Sequence, residues 1–229
     1  MSVIINICSD VAEGAGHDAE ILSLIDSANV CCGIHAGSLS ETIRVARSCY
    51  QMGVEVGAHP GYDDRENYGR EETGISPAEI EDLVRFQVAA LAAVVPLGYI
   101  KAHGALYHRC QADPAAAAAL VRAAAAFGLG LVGQPGFPIV AQAREAGLPV
   151  YREGFADRAY LPDGRLAPRS EPGAVLGLDV AVEQALRLAR SGDCDTICFH
   201  GDSPGSHLLA QSIRDALKAA GITTKALAG

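Results

Sequence analysis

This sequence predicts an α/β fold of seven βα units, closed as a seven-stranded parallel (β/α) barrel. Three observations carry the prediction. Short apolar, β-branched runs alternate with helix-like segments along all 229 residues, as in parallel strands joined by crossover helices. Four histidines, His35, His59, His103 and His200, close such runs, each followed by a small residue or a tight turn. No stretch has the character of a linker, so a single domain over 1–229 is expected. Parallel α/β folds bind ligands outside the carboxyl ends of their strands. Titratable groups after nearly every strand favour a barrel over an open sheet, which concentrates its site at one switch point.

The elements follow in order. Val3–Ile7 is apolar and β-branched, the first strand, and Asp18–Asp26 carries a short helical pattern. Ala28–Cys32 is the second strand. Ser38 and Glu41 stand at capping-box spacing before a helix that Gly53 stops. Val54–Ala58 is the third strand, and the polar stretch from Pro60 to Gly74 is long enough for an active-site lid or a mobile excursion. Ser76-Pro77-Ala78-Glu79 opens a strong helix ending near Pro96. Tyr99–Lys101 is strand four; Asp113-Pro114 caps an alanine-rich helix that stops at Gly128. Leu129–Val132 is strand five, Pro138–Ala146 a helix, and Val150–Arg152 strand six. A second long loop, Glu153–Gly177, precedes a helix over Asp179–Ser191. Thr196–Phe199 is strand seven and Leu208–Ala220 the last helix.

Composition narrows the partners. A net charge of −9, with no block of Lys or Arg, argues against nucleic acid and anionic membrane surfaces. The N-terminus lacks a secretory apolar region, and no run of about 18 apolar residues occurs. The seven cysteines show no CxxC and no disulfide spacing, and read as buried thiols in a reducing compartment. A cytoplasmic protein is expected.

The candidate chemistry lies at the strand ends. Asp10 and Glu13 follow the first strand, where a carboxylate can orient a histidine, ligate a metal or act as a base. Imidazoles beside carboxylates suit a divalent metal, with Asp10, His59 and His103 as candidate ligands. They equally suit proton transfer near neutral pH, and ligands converging from separate strands leave no spacing to decide between the two. Lys101 and His103 face one side by period-two alternation; the lysine can stabilise an oxyanion or hold a carboxylate. Glu153, Asp157 and Arg158 form a charged knot after strand six, where Arg158 or Arg169 could clamp a carboxylate substrate. The run His200-Gly201-Asp202-Ser203-Pro204-Gly205 could offer backbone N–H groups to an anion. His17, His108 and His207 read as surface or supporting groups. No P-loop, Rossmann fingerprint or GxSxG elbow is present.

Several of these runs form recognisable motifs. They include Ser27-Ala28-Asn29 through Cys32-Gly33-Ile34-His35-Ala36-Gly37; Gly57-Ala58-His59-Pro60-Gly61-Tyr62 with Asp64-Arg65-Glu66-Asn67-Tyr68-Gly69-Arg70; and Ile100-Lys101-Ala102-His103-Gly104-Ala105-Leu106-Tyr107. Glu153 with Phe155-Ala156-Asp157-Arg158 and Asp163-Gly164-Arg165-Leu166, and Cys198-Phe199-His200-Gly201-Asp202, complete the set. Together they resemble the LamB/YcsF family over about Ile5 to Leu217. The resemblance implies a barrel of the glycoside hydrolase/deacetylase type. It also implies a 5-oxoprolinase reaction, the ATP-dependent opening of 5-oxo-L-proline to L-glutamate, carried out with B and C subunits. ATP would then be a co-substrate used through the complex, in keeping with the missing P-loop. Asp10 with His59 or His103 is expected to activate water, Lys101 with Arg158 to hold the anion, and His200 with Asp202 to complete the proton path; Glu13, His35, Glu153 and Asp157 join the site. The chain departs from the family at Cys8 (usually Asn), Ala12 (usually Gly), Ser38 (usually Asp) and Ala102 (usually Pro). Cys8 is read as a buried strand thiol. The alternatives are a stand-alone metal-dependent deacylase of another small amide, and a non-catalytic protein of the complex that binds an oxo-acid.

Overall fold

The β-branched runs form strands, and the strands close on themselves. The computed structural model describes residues 3–203 and 205–228. Met1 and Ser2 ahead of the first strand, Pro204 of the anion-binding turn read above, and Gly229 lie outside the described residues. The strands are β1 (Ile4–Val11), β2 (Ser27–Cys31), β3 (Glu55–His59), β4 (Tyr99–Ile100), β5 (Gly130–Gly133), β6 (Val150–Phe155) and β7 (Thr196–His200). Each pairs in parallel with the next, and β7 and β2 both pair with β1, which closes the seven-stranded barrel. A two-residue strand, β8 (Thr223–Thr224), adds to β1 at Ile4 and Ile5.

Helices α1 (Asp18–Leu22), α2 (Leu39–Met52), α3 (Pro77–Ala92), α4 (Gly104–Ala112), α5 (Pro114–Phe127), α6 (Pro138–Glu145), α7 (Leu178–Ser191) and α8 (Ser206–Ala219) fill the crossovers. Their ends obey local chemistry. Ser76 and Glu79 form a reciprocal capping box with Pro77 in the first turn of α3. Ser38 accepts from the Glu41 N–H at the start of α2, so serine serves as the cap where the family usually has Asp. Asp113 caps α5, and Gly128 ends it in the left-handed conformation. Among the described residues, no helix is long and apolar enough to cross a membrane.

Three differences from the sequence reading bear on the site. β1 runs on to Val11, so Asp10 lies on the strand and not after it; Ser9 and Asp10 look like turn residues in isolation, but neighbours β2 and β7 pair with both. β6 extends through Glu153 to Phe155, so Glu153 opens no loop and projects from the strand. α4 occupies 104–112 between strand four and the alanine-rich helix, where His108, Arg109 and Gln111 obscure its apolar pattern.

The barrel interior is polar and layered. Period-two alternation on β1 turns Asn6, Cys8 and Asp10 inward. Asn6 donates to Ser27 Oγ at 2.8 Å and accepts from Thr196 Oγ1 at 2.7 Å, forming a floor. Above it, Tyr99 donates to Asn29 Oδ1 at 2.8 Å. Gly57 makes room for that tyrosine: a Cβ there would come within 2.1 Å of the ring. Cys8 takes part in this lower packing, its Sγ 3.2 Å from Thr196 Oγ1, with 1% exposure. Its thiol does not reach the cavity described below, so the departure at this position alters the support beneath the site.

Ala12 shows what a departure from glycine costs. Its φ is +64°, the left-handed region in which a Cβ crowds the backbone. Gly37 crosses directly over it, where a Cβ would meet the Ala12 carbonyl. Ala12→Gly is therefore expected to raise stability by up to about 1 kcal/mol, the relieved strain outweighing the added freedom of the unfolded chain. For a chain of this size that is a rise of about 2–4 °C in thermal midpoint, readable by calorimetry.

Candidate active site

At the carboxyl end of the barrel, one lysine organises three strands. Lys101, immediately after β4, is 2% exposed. Its Nζ lies 2.9 Å from Asp10 Oδ1, 2.9 Å from Glu153 Oε1 and 3.0 Å from Cys198 Sγ. The ammonium donates to Asp10 Oδ1 and Cys198 Sγ and forms an ion pair with Glu153 Oε1. Asp10 Oδ1 also accepts from Asn29 Nδ2 at 2.8 Å, and Glu153 Oε2 from the Tyr107 hydroxyl at 2.8 Å. Burial acts to raise the pKa of Asp10, but His59 and Lys101 outweigh it and hold the carboxyl well below its ordinary range. For Lys101, burial acts downward, and Asp10, Cys198 and Glu153 more than reverse it, so the ammonium persists well above the usual lysine range. Burial and the neighbouring Cys8 push the Cys198 thiol up, so it is a neutral partner here.

A second cluster sits beside the first. Glu13 Oε1 is 3.2 Å from His35 Nε2, 3.2 Å from His103 Nδ1 and 3.7 Å from His59 Nε2. Glu13, His35, His59 and His103 converge closely enough that this group could hold a metal ion, with Asp10 Oδ2 at 3.4 Å from His59 Nε2 alongside it. His59 ends β3, and His103 caps α4. His35 lies in the turn after β2, and its ring stacks on that of His103 at 3.9 Å. Burial acts to raise the pKa of Glu13, yet His103 and His35 beside it hold it well below the ordinary carboxylate value. The long polar loop after β3 covers these rings. Gly61 and Gly69 press on His35, where a Cβ would come within 2.6 and 2.9 Å of the ring or its stem. The Tyr68 carbonyl accepts from His103 Nε2 at 2.8 Å.

A third group stands on β7. His200 Nδ1 lies 2.9 Å from Asp157 Oδ2, and its backbone N–H donates to the same oxygen at 3.1 Å. Burial acts to raise the Asp157 pKa, but His200 outweighs it and keeps the carboxylate ionised below its usual value. Phe155 stacks against the imidazole, 5.6 Å between centroids. The partner of His200 is thus Asp157. Asp202, read as part of the proton path, instead pairs with Arg70 and Arg169 at the rim.

All three groups meet a cavity of about 470 Å³, within the range of small-molecule sites. Its lining brings Asp10, His59, Lys101, His103 and His200 together with Arg70, Arg158, Arg165 and Arg169 and with the apolar Phe137, Leu161 and Leu166. The second long loop supplies most of these arginines, folded by short bridges between Arg158 and Val175 and between Tyr160 and Leu166. The Arg158 guanidinium donates to the Ala167 and Ala174 carbonyls and is buried; burial, then Arg169, lowers its pKa from the arginine norm. His108, read from sequence as a supporting group, lines the cavity, and burial with Arg158 beside it lowers its pKa. Gln111 also lines it, and its place on the inner face of α4 is the signal the sequence reading lacked. His17 and His207 lie together, 4.9 Å between ring centroids, and outside the cavity lining.

Comparison with known proteins agrees with this architecture. The chain is 40% identical to the 5-oxoprolinase A subunit of Thermus thermophilus, covering 99% of this chain and 100% of that one. It is 43% identical to the protein of the same name from Chloroflexus aggregans, over 92% of this chain and 91% of the relative. Among solved structures, the lactam utilization protein of Thermus thermophilus matches with a TM-score of 0.89 at 39% identity, covering 97% of this chain and 99% of that one. A family 4 carbohydrate esterase from Streptomyces lividans matches at TM-score 0.56 and 13% identity, covering 96% of this chain and 91% of that one, a likeness of fold alone. The barrel is thus of the deacetylase type. The LamB/YcsF family model matches residues 5–229, and the chain belongs to the LamB/YcsF family.

Proposed function

We propose that this chain is the A subunit of a 5-oxoprolinase, a hydrolase that opens 5-oxo-L-proline to L-glutamate with ATP and with B and C subunits. The observation that carries the reading is a cavity lined both by imidazoles with a carboxylate and by arginines. An acidic cyclic amide needs both. Its carboxylate suits the arginines, of which Arg169 is a more available clamp than Arg158, which already serves two carbonyls. Its ring suits the apolar side chains of the lining.

A lactam resists water, so the reaction requires activation. Transfer of the γ-phosphoryl group of ATP to the lactam oxygen makes the ring carbon electrophilic. Water then adds to that carbon and loses a proton. The carbon–nitrogen bond breaks as the nitrogen takes up a proton and leaves as the amine, and the phosphate is released. Proton transfer at these two points falls to groups with free positions on the cavity. His200, held by Asp157, presents its Nε2 edge and is assigned to the ring nitrogen. Asp10 with His59 or His103 is assigned to water. Lys101 is engaged by three partners, so its part is to hold Asp10 and Glu153 in place while its charge offsets the developing anion. ATP is used through the complex, in keeping with the missing P-loop.

The test is glutamate release from 5-oxo-L-proline, with and without ATP and the B and C subunits. Release that requires all of them is the expected result. No release with partners that are competent with the A subunit of a relative would overturn the proposal.

A further inference from the structure

The geometry points to a divalent transition-metal site formed by Glu13, His59 and His103, with His35 as the residue that orients Glu13. The hydrogen bonds around the two imidazoles lead to it. His59 Nδ1 is 2.8 Å from the Lys101 carbonyl, and His103 Nε2 is 2.8 Å from the Tyr68 carbonyl. A carbonyl only accepts, so both of these nitrogens carry the proton. In neutral rings, the remaining lone pairs are on His59 Nε2 and His103 Nδ1. These face each other at 3.0 Å. Glu13 Oε1, also only an acceptor, is 3.2 Å from one and 3.7 Å from the other. Three buried acceptors therefore converge with no donor among them.

Their spacing suits a cation. An ion bound to nitrogen and oxygen at about 2.0–2.2 Å sets tetrahedral ligand atoms about 3.3 Å apart, and the three separations are 3.0, 3.2 and 3.7 Å. Metal-bound histidines characteristically donate their other N–H to a carbonyl or carboxylate, which fixes the tautomer; His59 and His103 both do so. His35 is excluded as a co-ligand with His103 in this arrangement. Its ring is parallel to that ring, 6° apart at 3.9 Å, so an ion in the plane of one lies far from the plane of the other. Its Nε2 reaches Glu13 instead. Charge balance agrees. Asp10, Glu13 and Glu153 bring three negative charges to this buried region and Lys101 one positive, and a dication cancels the excess. Two imidazoles and a carboxylate suit zinc or a similar ion. His59 and His103 line the cavity, so a fourth position would open toward substrate.

With both imidazoles holding an ion, Asp10 alone is left of the groups assigned to water above, and the site is tested without turnover. Purified full-length chain is stripped with chelator and titrated with Zn²⁺ and with Co²⁺. Metal content, thermal midpoint and cobalt visible absorption are recorded, together with imidazole ¹⁵N shifts of the unaltered protein. The expected result is about one equivalent bound, a raised midpoint, and metal-type shifts for His59 Nε2 and His103 Nδ1. Glu13→Gln and His103→Asn should each weaken binding by more than about tenfold, and His35→Asn by about 10–100-fold as an outer partner. Uptake below about a tenth of an equivalent, with imidazolium-type shifts at both rings, would show that protons bridge the cluster and would overturn the site. Binding unchanged in folded Glu13→Gln would overturn it equally. Should a variant not fold, the shifts of the unaltered protein decide alone.

Discussion

Lys101→Met is expected to cost about 3–5 kcal/mol of unfolding free energy, the largest effect of any single substitution at the site. Methionine matches the length of the side chain but removes the ammonium. Asp10 and Glu153 are then left as buried carboxylates 5% and 1% exposed, each having lost a contact of 2.9 Å. Chemical denaturation at neutral pH measures the loss. The pH dependence gives a second check. The folded-state pKa of Asp10 is depressed, so the stability it contributes is present above its unfolded pKa of about 3.9 and is lost as pH falls toward the folded value. Removing Lys101 removes part of that depression. The gap between the wild type and Lys101→Met should therefore narrow as pH is lowered from about 5 toward 2. A gap that stays constant through this range would mean that the loss is one of packing and not of charge.

Asp157→Asn should lower kcat by about 10²–10⁴-fold with little change in fold, the range expected when a proton-transfer group loses its orienting partner. The amide keeps the shape of the carboxylate but not its charge. In the native site, Asp157 receives both the backbone N–H and Nδ1 of His200, which fixes the tautomer and leaves Nε2 for the cavity. An amide can turn its NH₂ group toward the ring and favour the opposite tautomer. Steady-state glutamate release by the reconstituted complex is the measurement, with KM for 5-oxo-L-proline determined in parallel. Loss in kcat with KM held supports His200 in proton transfer. A rise in KM alone would move His200 to substrate binding. Asp202→Asn gives a contrast: Asp202 pairs with Arg70 and Arg169 at the rim, so its replacement should alter KM first.

The alternation of the strands lies in the residues themselves, but it was read only in part. Asn6, Cys8 and Asp10 alternate with Ile5, Ile7 and Ser9 along β1, yet the turn-like Ser9 and Asp10 ended the strand at Ile7 in the sequence reading and put the carboxylate after it. Thr196, Cys198 and His200 repeat the pattern on β7, and Ser27 and Asn29 on β2. The caps at Ser76 and Asp113 were equally clear, because a side-chain oxygen and an N–H three or fewer residues apart need no distant partner. Helix α4 was not, since its inner face carries Tyr107 and Gln111, polar groups whose partners lie on other elements.

The strand-end histidines, with Asp10, Lys101, Glu153 and Asp157, were thus available to sequence reading as a set at one end of a seven-stranded barrel. Alternation and element order determine this, and both are local properties of the chain. Only the tertiary structure decided how the set divides. It gave Lys101 to Asp10 and Glu153, Glu13 to three imidazoles, and Asp157 instead of Asp202 to His200. It also turned two long loops into a cover over the histidines and a source of arginines for the cavity lining. Those pairings join residues from 22 positions apart, as in Glu13 with His35, to 91 apart, as in Asp10 with Lys101. They are selected because a buried charge must find a partner in space. Spacing along the chain carries no record of which partner that will be.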